Sequence, residues 1–354
     1  MKQAAVIIGA GIGGLSAARA LKRHGWSVVV LEQSPGLPAS GTMLGMWPAA
    51  LEALGRLGVM EASRRTDGWA HIAAANTSTR LWTPSGRTLL TVPGGAELHL
   101  VSRPALLAAL AQDVDITFST HVLESGQISD ADLVVGADGT FSRTRQEIFG
   151  ARFAARPLGA VAWRGTVQAS VPEYGETWAP GALFGITPAG PQSTNWYASL
   201  RSGQTFAGPH LPHLQRYFGS WHQGVRHLLD QIDEDTILHH GLFETPKLAS
   251  LFRGRTVLVG DAAHAMAPFL GRGACEAIID GATLGQCVAL APSVEAGLAA
   301  YNKARRKRTQ RLVLSSRLMG QFAMLDTGAA PRNAVMAAAG SIARIITPKP
   351  PGRP

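Results

Sequence analysis

"AAVIIGAGIGGLSAARALKRHGWSVVVLE", residues 4–32, decides the fold. Its opening "AAVIIG" is an apolar, partly β-branched run of strand length, and "SVVVLE" at its end is another. The run from Gly13 to His24 has helical spacing and composition. Two buried-type strands joined by a glycine turn and one helix make a βαβ unit, whose strands are parallel. The glycines of the turn, Gly9, Gly11 and Gly14, have the spacing GxGxxG. In that position the first allows a tight turn, the second a close backbone approach to a pyrophosphate, and the third close helix–strand packing. The helix start, including Gly13, then directs backbone amides and the positive end of its dipole at the phosphates. Glu32 follows the second strand, 18 residues after Gly14, where a ribose hydroxyl is read. The stretch therefore predicts dinucleotide binding, without separating FAD from a nicotinamide cofactor.

The bulk numbers agree with a globular chain. It has 354 residues, 46% of them apolar, enough for two domains or one composite one. Two cysteines, Cys275 and Cys287, make no disulfide framework and fit a reducing cytoplasm. The apolar run from Ala4 to Ala18 imitates a signal peptide but is too short to span a bilayer, so no stable membrane insertion is expected. The formal charge is +9, and its densest cluster is "YNKARRKRTQR", residues 301–311. That cluster continues a helical pattern and has no interleaved aromatics. It reads as a solvated helix face, and no nucleic-acid partner is expected.

Beyond the opening unit the chain alternates in character. Residues 47–58 and 102–112 read as helices, each with a proline in its first turn. "ADLVVGADG" (131–139) and "TVLVGD" (256–261) read as further buried strands ending in Gly and Asp. Strand-like segments with a "PSG" turn occupy 69–92, and residues 157–245 show the alternation of an antiparallel sheet with one covered face, as in "AVAWRGTV" and "NWYASL". Helical stretches follow at 273–291 and 294–323. The predicted class is α/β: a Rossmann-like domain with an inserted, mainly antiparallel sheet and C-terminal helices. The expected boundaries are 1–68, 98–156 and 251–300 for the nucleotide-type domain, 69–97 and 157–250 for the sheet domain, 301–346 for C-terminal helices, and 347–354 as a flexible tail.

Two later motifs carry chemistry. Asp138-Gly139 follows the middle strand; alone it is an ordinary turn. "VLVGDAAHAMAPFLGRG" (257–273) puts Asp261 at what reads as a buried strand end. An isolated carboxylate there is costly without hydrogen-bond donors, and a polyol ligand supplies them. The small residues after it let a flat ring lie close to the backbone, and the helix beginning at Gly273 points its first amides at an anionic ring edge.

Together the three motifs resemble the FAD-dependent monooxygenases of the aromatic-hydroxylase type, with the para-hydroxybenzoate hydroxylase fold. The resemblance covers residues 1–325 and rests on Gly9-Gly11-Gly14, on Asp138-Gly139, and on Gly260-Asp261-Ala262-Ala263-His264 with Pro268, Gly271 and Gly273. It implies that Glu32 holds the adenosine ribose with Gln33 beside the adenine, and that Arg103 lies along the FAD. It implies a role for Asp138 and Gly139 towards both FAD and NAD(P)H, and for Asp261 on the ribityl or ribose hydroxyls. Backbone from Gly271 through Arg272, Gly273, Ala274 and Cys275 would face the flavin. It implies NADH or NADPH as transient electron donor, O2 as co-substrate, and hydroxylation or epoxidation of an aromatic or polyketide-like molecule through a flavin hydroperoxide. The alternatives are an FAD-containing reductase or oxidase, or a non-redox binding or cyclising protein that retains FAD structurally. The expected assembly is a monomer or homodimer.

The chain departs from the family pattern in three places. Arg272 stands where the family has Gln, Cys275 where it has Asn, and Gly281 where it has Ala after the Asp. Cys275 reads as an inert small residue, since no His or second Cys is near it in sequence. Arg272 would put positive charge near the flavin pyrimidine edge. Met46, Trp82, Phe184, Trp196, Pro268 and Phe269 are the expected substrate contacts, with Arg80, Arg164 and Tyr197 as polar candidates. No individual catalytic residue is assigned. No metal site is expected: His239 and His240 are adjacent and lack ligand spacing. His264 reads as a packed residue of the flavin motif.

Overall fold

The computed structural model describes residues 3–39, 41–59, 69–70, 79–92, 99–122, 128, 130–171, 173–190, 192–203 and 206–346. The chain divides into two compact units, 1–70 with 99–158 and 243–319, and 71–98 with 159–242 and 320–354.

The first unit is built on the predicted βαβ opening. Strand β1 (Ala4–Ile8), helix α1 (Ile12–Arg23) and strand β2 (Ser27–Leu31) follow one another as expected. Strands β3 (Met43–Met46), β4 (Trp69–Ala70) and β7 (His99–Ser102) form a small antiparallel sheet in the order β3-β7-β4. Helices α2 (Pro48–Arg56) and α3 (Arg103–Ala111) begin with Pro in the first turn, and Ser102 caps α3 by accepting from Ala105 N at 3.2 Å. The main sheet adds β8 (Asp115–Thr117), β9 (Leu133–Gly136), β15 (Phe252–Arg253) and β16 (Thr256–Leu258), and runs in the order β15-β16-β9-β1-β2-β8. All its pairings are parallel except β15–β16. Helix α4 (Arg143–Phe149) follows β9, and the single turn α7 (Asp261–His264) follows β16. Helix α8 is Gly273–Leu290 and α9 is Val294–Ala323. Ile7, Leu15, Val30, Leu133, Val257, Ile278 and Tyr301 form one continuous core between these layers.

The second unit holds a seven-stranded sheet. Its strands are β5 (Thr79–Trp82), β6 (Thr88–Val92), β10 (Arg156–Val167), β11 (Tyr174–Ala179), β12 (Ala182–Gly190), β13 (Ser193–Arg201) and β14 (Leu238–Glu244), in the order β14-β10-β13-β12-β11-β5-β6. Pairing is antiparallel wherever its register is known, except β11–β5. One face is covered by the short helices α5 (Leu211–Phe218) and α6 (Gln223–Leu229), with Val161, Trp163, Phe184, Trp196, Leu214, Phe218 and Leu228 in one core. Helix α10 (Ala329–Ile346) packs against β6, and Trp178 takes Phe322 edge-on and Arg332 over its ring.

The C-terminal helices do not form a block of their own. Residues up to 319 belong to the first unit, because Tyr301, Arg305, Thr309 and Ser316 of α9 are buried there. Helix α10 belongs to the second. The expected tail, 347–354, lies outside the described residues, as does most of the strand-like stretch 69–78.

Candidate functional site

In the first unit the chain returns three times to one place, beyond the carboxyl ends of β1, β9 and β16. Gly9 follows β1 with φ +105°, and a Cβ there would meet Ala137 O at 2.5 Å, so the turns after β1 and β9 touch backbone to backbone. A Cβ on Gly14 would lie 2.0 Å from Gly9 O, which is the close packing the third motif glycine permits. Around Gly11, which caps α1, there is open space, and Gly13 approaches the Cα of Gly260 at 3.5 Å from its Cβ position. The turns after β1 and β16 are therefore neighbours too.

Glu32, just past β2, accepts from Ala10 N at 2.7 Å and from Ser34 N at 2.8 Å, one bond to each carboxylate oxygen. It props the glycine turn while remaining half-buried, and each oxygen retains acceptor capacity. Gln33 beside it is exposed. Asp138 accepts from Ser142 Oγ at 2.5 Å and from Thr144 N and Oγ1 at 3.0 Å, fastening the loop that starts α4. Gly139 follows at φ +76°. Arg103 starts α3, half-buried, with Gly41 lying against its stem.

The reading of Asp261 needs correction. Strand β16 stops at Leu258, and Gly260 turns the chain with φ +59° and ψ −140°, so Asp261 is exposed and not buried at a strand end. Its cost without a ligand is accordingly small. Its backbone carbonyl accepts from Thr245 Oγ1 at 3.2 Å and from Ala265 N at 3.1 Å. Gly271 and Pro268 are exposed, and Arg272, Gly273 and Ala274 are half-buried at the start of α8. A carboxylate free in solvent, a bare glycine turn at a helix N-terminus and an accessible second helix start form a cradle of the chemistry a flavin dinucleotide requires.

Behind this cradle lies a charged network that no local signal in the sequence reveals. Asp280 of α8 accepts from Gly260 N at 2.9 Å and from Arg305 Nε at 2.6 Å, and pairs with His264 Nε2. Arg305 also donates to Glu276 Oε2 at 2.6 Å, whose other oxygen takes Arg272 at 3.3 Å. Burial by itself would raise Asp280; the charges of His264 and Arg305 overcome it and lower the carboxyl to about 2. Burial opposes the His264 cation, but Asp280 dominates and raises its pKa. Arg145, fully buried, donates to Thr140 O at 2.8 Å, Ala262 O at 2.9 Å and Phe153 O at 2.8 Å, and so ties the loop after β9 to α7.

The departures find physical places. The Cys275 thiol is buried, donates to Gly45 O at 3.2 Å, and burial pushes its pKa up. Arg272 lies over the Trp47 ring at 5.0 Å, with Glu276 as counter-charge. A Cβ at Gly281 would lie 2.5 Å from Ala17 N, so α1 and α8 cross too closely for the family's alanine. The basic cluster is only in part a solvated face. Lys303, Lys307, Arg308 and Arg311 are exposed, whereas Tyr301, Arg305 and Thr309 turn inward.

The substrate expectations divide. Phe184 and Trp196 have no exposed surface, and strand alternation puts them, with Trp82 at 5% exposure, on the face covered by α5 and α6. Met46 is equally buried in the first unit's core. These four are core residues. Phe269 is half-buried in a turn beside the exposed Pro268. Arg80 pairs with Glu173 at the surface, while Arg164 and Tyr197 stand opposite each other on the sheet's other face. Among the described residues no cluster of His, Cys, Asp or Glu has metal-binding geometry, and no helix is long and apolar enough to cross a membrane.

Comparison with known proteins gives a consistent picture. Residues 107–316 match the family model described as an FAD binding domain, and residues 4–167 match the FAD dependent oxidoreductase model. The chain is 29% identical over 350 residues to the aurachin C monooxygenase/isomerase of Stigmatella aurantiaca, covering 90% of this chain and 88% of that one. It is 28% identical to the 3-amino-4-hydroxybenzoate 2-monooxygenase of Streptomyces cremeus, covering 91% and 88%. In fold it resembles Klebsiella pneumoniae HpxO solved with FAD and uric acid, with a TM-score of 0.84, 24% identity, and coverage of 97% and 95%.

Proposed function

The chain belongs to the FAD binding domain family of flavin-dependent monooxygenases of the aromatic-hydroxylase type, and from that premise we propose that it spends NADH or NADPH and O2 to hydroxylate a small aromatic molecule. One observation carries the reading: the turns after β1, β9 and β16, with Glu32 after β2, meet at the carboxyl ends of neighbouring parallel strands, where α/β sheets bind nucleotides.

When bound, FAD supplies the electron transfer and the oxygen activation. The residues present fit it. Gly9, Gly11, Gly13 and Gly14 at the start of α1 would take the pyrophosphate. Glu32 would accept from the adenosine ribose, with Gln33 alongside. Arg103 would lie along the dinucleotide, and Asp138 and Gly139 would shape the middle of the cradle. Gly260 turns the chain so that Asp261 is exposed, where it would accept from the hydroxyls of the polyol chain. Gly271, Arg272, Gly273, Ala274 and Cys275 would offer backbone amides and the helix dipole to the electron-rich ring edge. Pro268 and Phe269 are the remaining apolar candidates for substrate contact. Two free thiols, Cys275 and Cys287, favour the cytoplasm as the compartment.

The test is direct. FAD-loaded protein is mixed with NADH or NADPH in air, with and without a panel of phenols, aminobenzoates, quinolones and polyketide aromatics, and products are weighed by mass spectrometry. A compound that accelerates nicotinamide oxidation and gains one oxygen atom is the expected outcome. If neither nicotinamide reduces the bound flavin with any compound, the proposal fails.

A further inference from the structure

Helix α9 carries seven Lys or Arg against one acid, Glu295 in its first turn. Three of the seven are spoken for by the protein. Arg305 is buried against Glu276 and Asp280, while Arg306 and Arg317 are half-buried on Leu248 O and Glu244. The other four, Lys303, Lys307, Arg308 and Arg311, face solvent. Lys303, Lys307, Arg311, Leu314 and Leu318 follow one another at spacings of four, four, three and four, which puts them in one stripe along the helix. Arg308 and Met319 flank it. The stripe lies opposite the side on which Arg305, Thr309 and Ser316 are buried. Its apolar members are as open as its cations: Leu314 is 45% exposed, Leu318 53% and Met319 38%. The face is thus cationic over its first half and apolar over its second, and it lies wholly in the first unit.

Among the described residues no carboxylate meets Lys303, Lys307 or Arg311, and Arg308 comes no closer than 3.8 Å to Glu276. A solvated cation needs no partner, but three large apolar side chains in line with four cations are not an ordinary surface. The occupant that satisfies both halves has negative charge at its boundary and an apolar layer just beneath. A nucleic acid supplies only the first. A second copy can pair leucine with leucine, but three apolar side chains fall short of the roughly 800 Å² per partner of a stable interface. We propose that this face of α9 docks the protein on an anionic lipid bilayer: the four cations engage lipid phosphates, and Leu314, Leu318 and Met319 enter the boundary of the acyl layer. The chain's formal charge of +9 draws it to the same surface from a distance. Docking of this kind is peripheral, in keeping with the lack of any helix among the described residues that is long and apolar enough to cross a membrane. The proposal stands on the surface of α9 and is independent of the monooxygenase reading.

The experiment floats FAD-loaded full-length protein on density gradients with two kinds of vesicle, phosphatidylcholine alone and phosphatidylcholine mixed with phosphatidylglycerol. The wild type is expected to float with the mixed vesicles and to stay behind with the neutral ones. Lys303→Gln, Lys307→Gln and Arg311→Gln together should weaken binding at least about tenfold, since each cation near an anionic surface is worth roughly fivefold. Leu314→Ser with Leu318→Ser leaves every charge in place and should also weaken binding about tenfold, through the apolar area that no longer enters the bilayer. Arg152→Gln, Arg156→Gln and Arg216→Gln remove the same charge from exposed positions elsewhere and should weaken it at most about threefold. All these side chains are exposed, so melting temperature and FAD retention should not move. The comparison of the two lipids by the wild type stands whether or not a variant folds. Failure of the wild type to float with mixed vesicles, or equal flotation with both kinds, overturns the proposal. So does a serine pair that binds like the wild type, or a loss from the distant arginines as large as that from α9, which would mean attraction by overall charge alone. Sedimentation without lipid covers the remaining case: a dimer that the serine pair dissociates would show that a second copy occupies the face, and overturns the proposal too.

Discussion

At the scale of single residues, two positions give sharp expectations. The Cys275 thiol is buried, its hydrogen bonds Gly45 O, and its pKa is raised, so it is a poor thiolate. A disulfide reagent at mildly alkaline pH should titrate at most Cys287 in the folded protein and both thiols after denaturation; rapid modification of two thiols in the native state contradicts the assignment. Gly14 is held by contact with its own turn, where a Cβ would sit 2.0 Å from Gly9 O. Gly14→Ala should cost about 1–3 kcal/mol by overpacking and weaken FAD binding, both readable by thermal melts and flavin fluorescence.

At the scale of elements, α8 is fixed from two sides. Against α1 it is held by Gly281, and Gly281→Ala should lower the melting temperature by displacing one helix from the other. From behind it is held by Asp280, Glu276 and Arg305. Removing Asp280 leaves Arg305 and His264 buried without their partner, so Asp280→Ala should cost about 3–5 kcal/mol. The pH dependence has a definite sign. Asp280 is lowered from 3.8 to about 2 in the fold, so its contribution is present above pH 4 and lost as pH falls through its folded value. His264 is raised from 6.5, so its contribution is complete below that value and lost as pH rises through the folded one. The stability difference between wild type and Asp280→Asn, from urea midpoints, should therefore be greatest between about pH 4 and pH 6.5, a window bounded by these two groups. This network also marks the limit of what was legible beforehand. The βαβ opening, the capped helix after Ser102 and the long helices from 273 and 294 announce themselves through local periodicity. Asp280 and Arg305 are 25 residues apart, and Arg145 meets Ala262 across 117, so no local pattern encodes either contact. Helices α5 and α6, eight and seven residues long, are too short to interrupt a pattern dominated by strands. The glycine cradle was legible because each of its turns follows its own strand directly. The burial of Phe184 and Trp196 was not, since alternation tells which residues share a face and not which face is covered.

At the scale of the molecule, the cradle belongs wholly to the first unit and no part of it to the second. FAD should consequently stabilise the first unit alone. At a free concentration about 100 times its Kd, the gain should be about 2.7 kcal/mol. If melting resolves two transitions, only one should move with FAD concentration. A movement of both transitions would show that the units unfold as one.

The first unit is assembled from three separate lengths of chain, 1–70, 99–158 and 243–319, and its sheet seats β9 and β16, from the second and third, alongside β1. During synthesis β1 and β2 leave the ribosome long before β16, α7 and α8 exist. The second unit's strands β10 to β13 emerge in between, with mostly neighbouring partners, and can fold first. The cofactor cradle has all its parts only when the chain has grown past Cys275, in the third length. A chain truncated before the third length therefore carries the glycine fingerprint without β16, α7 and the start of α8, and should not retain FAD.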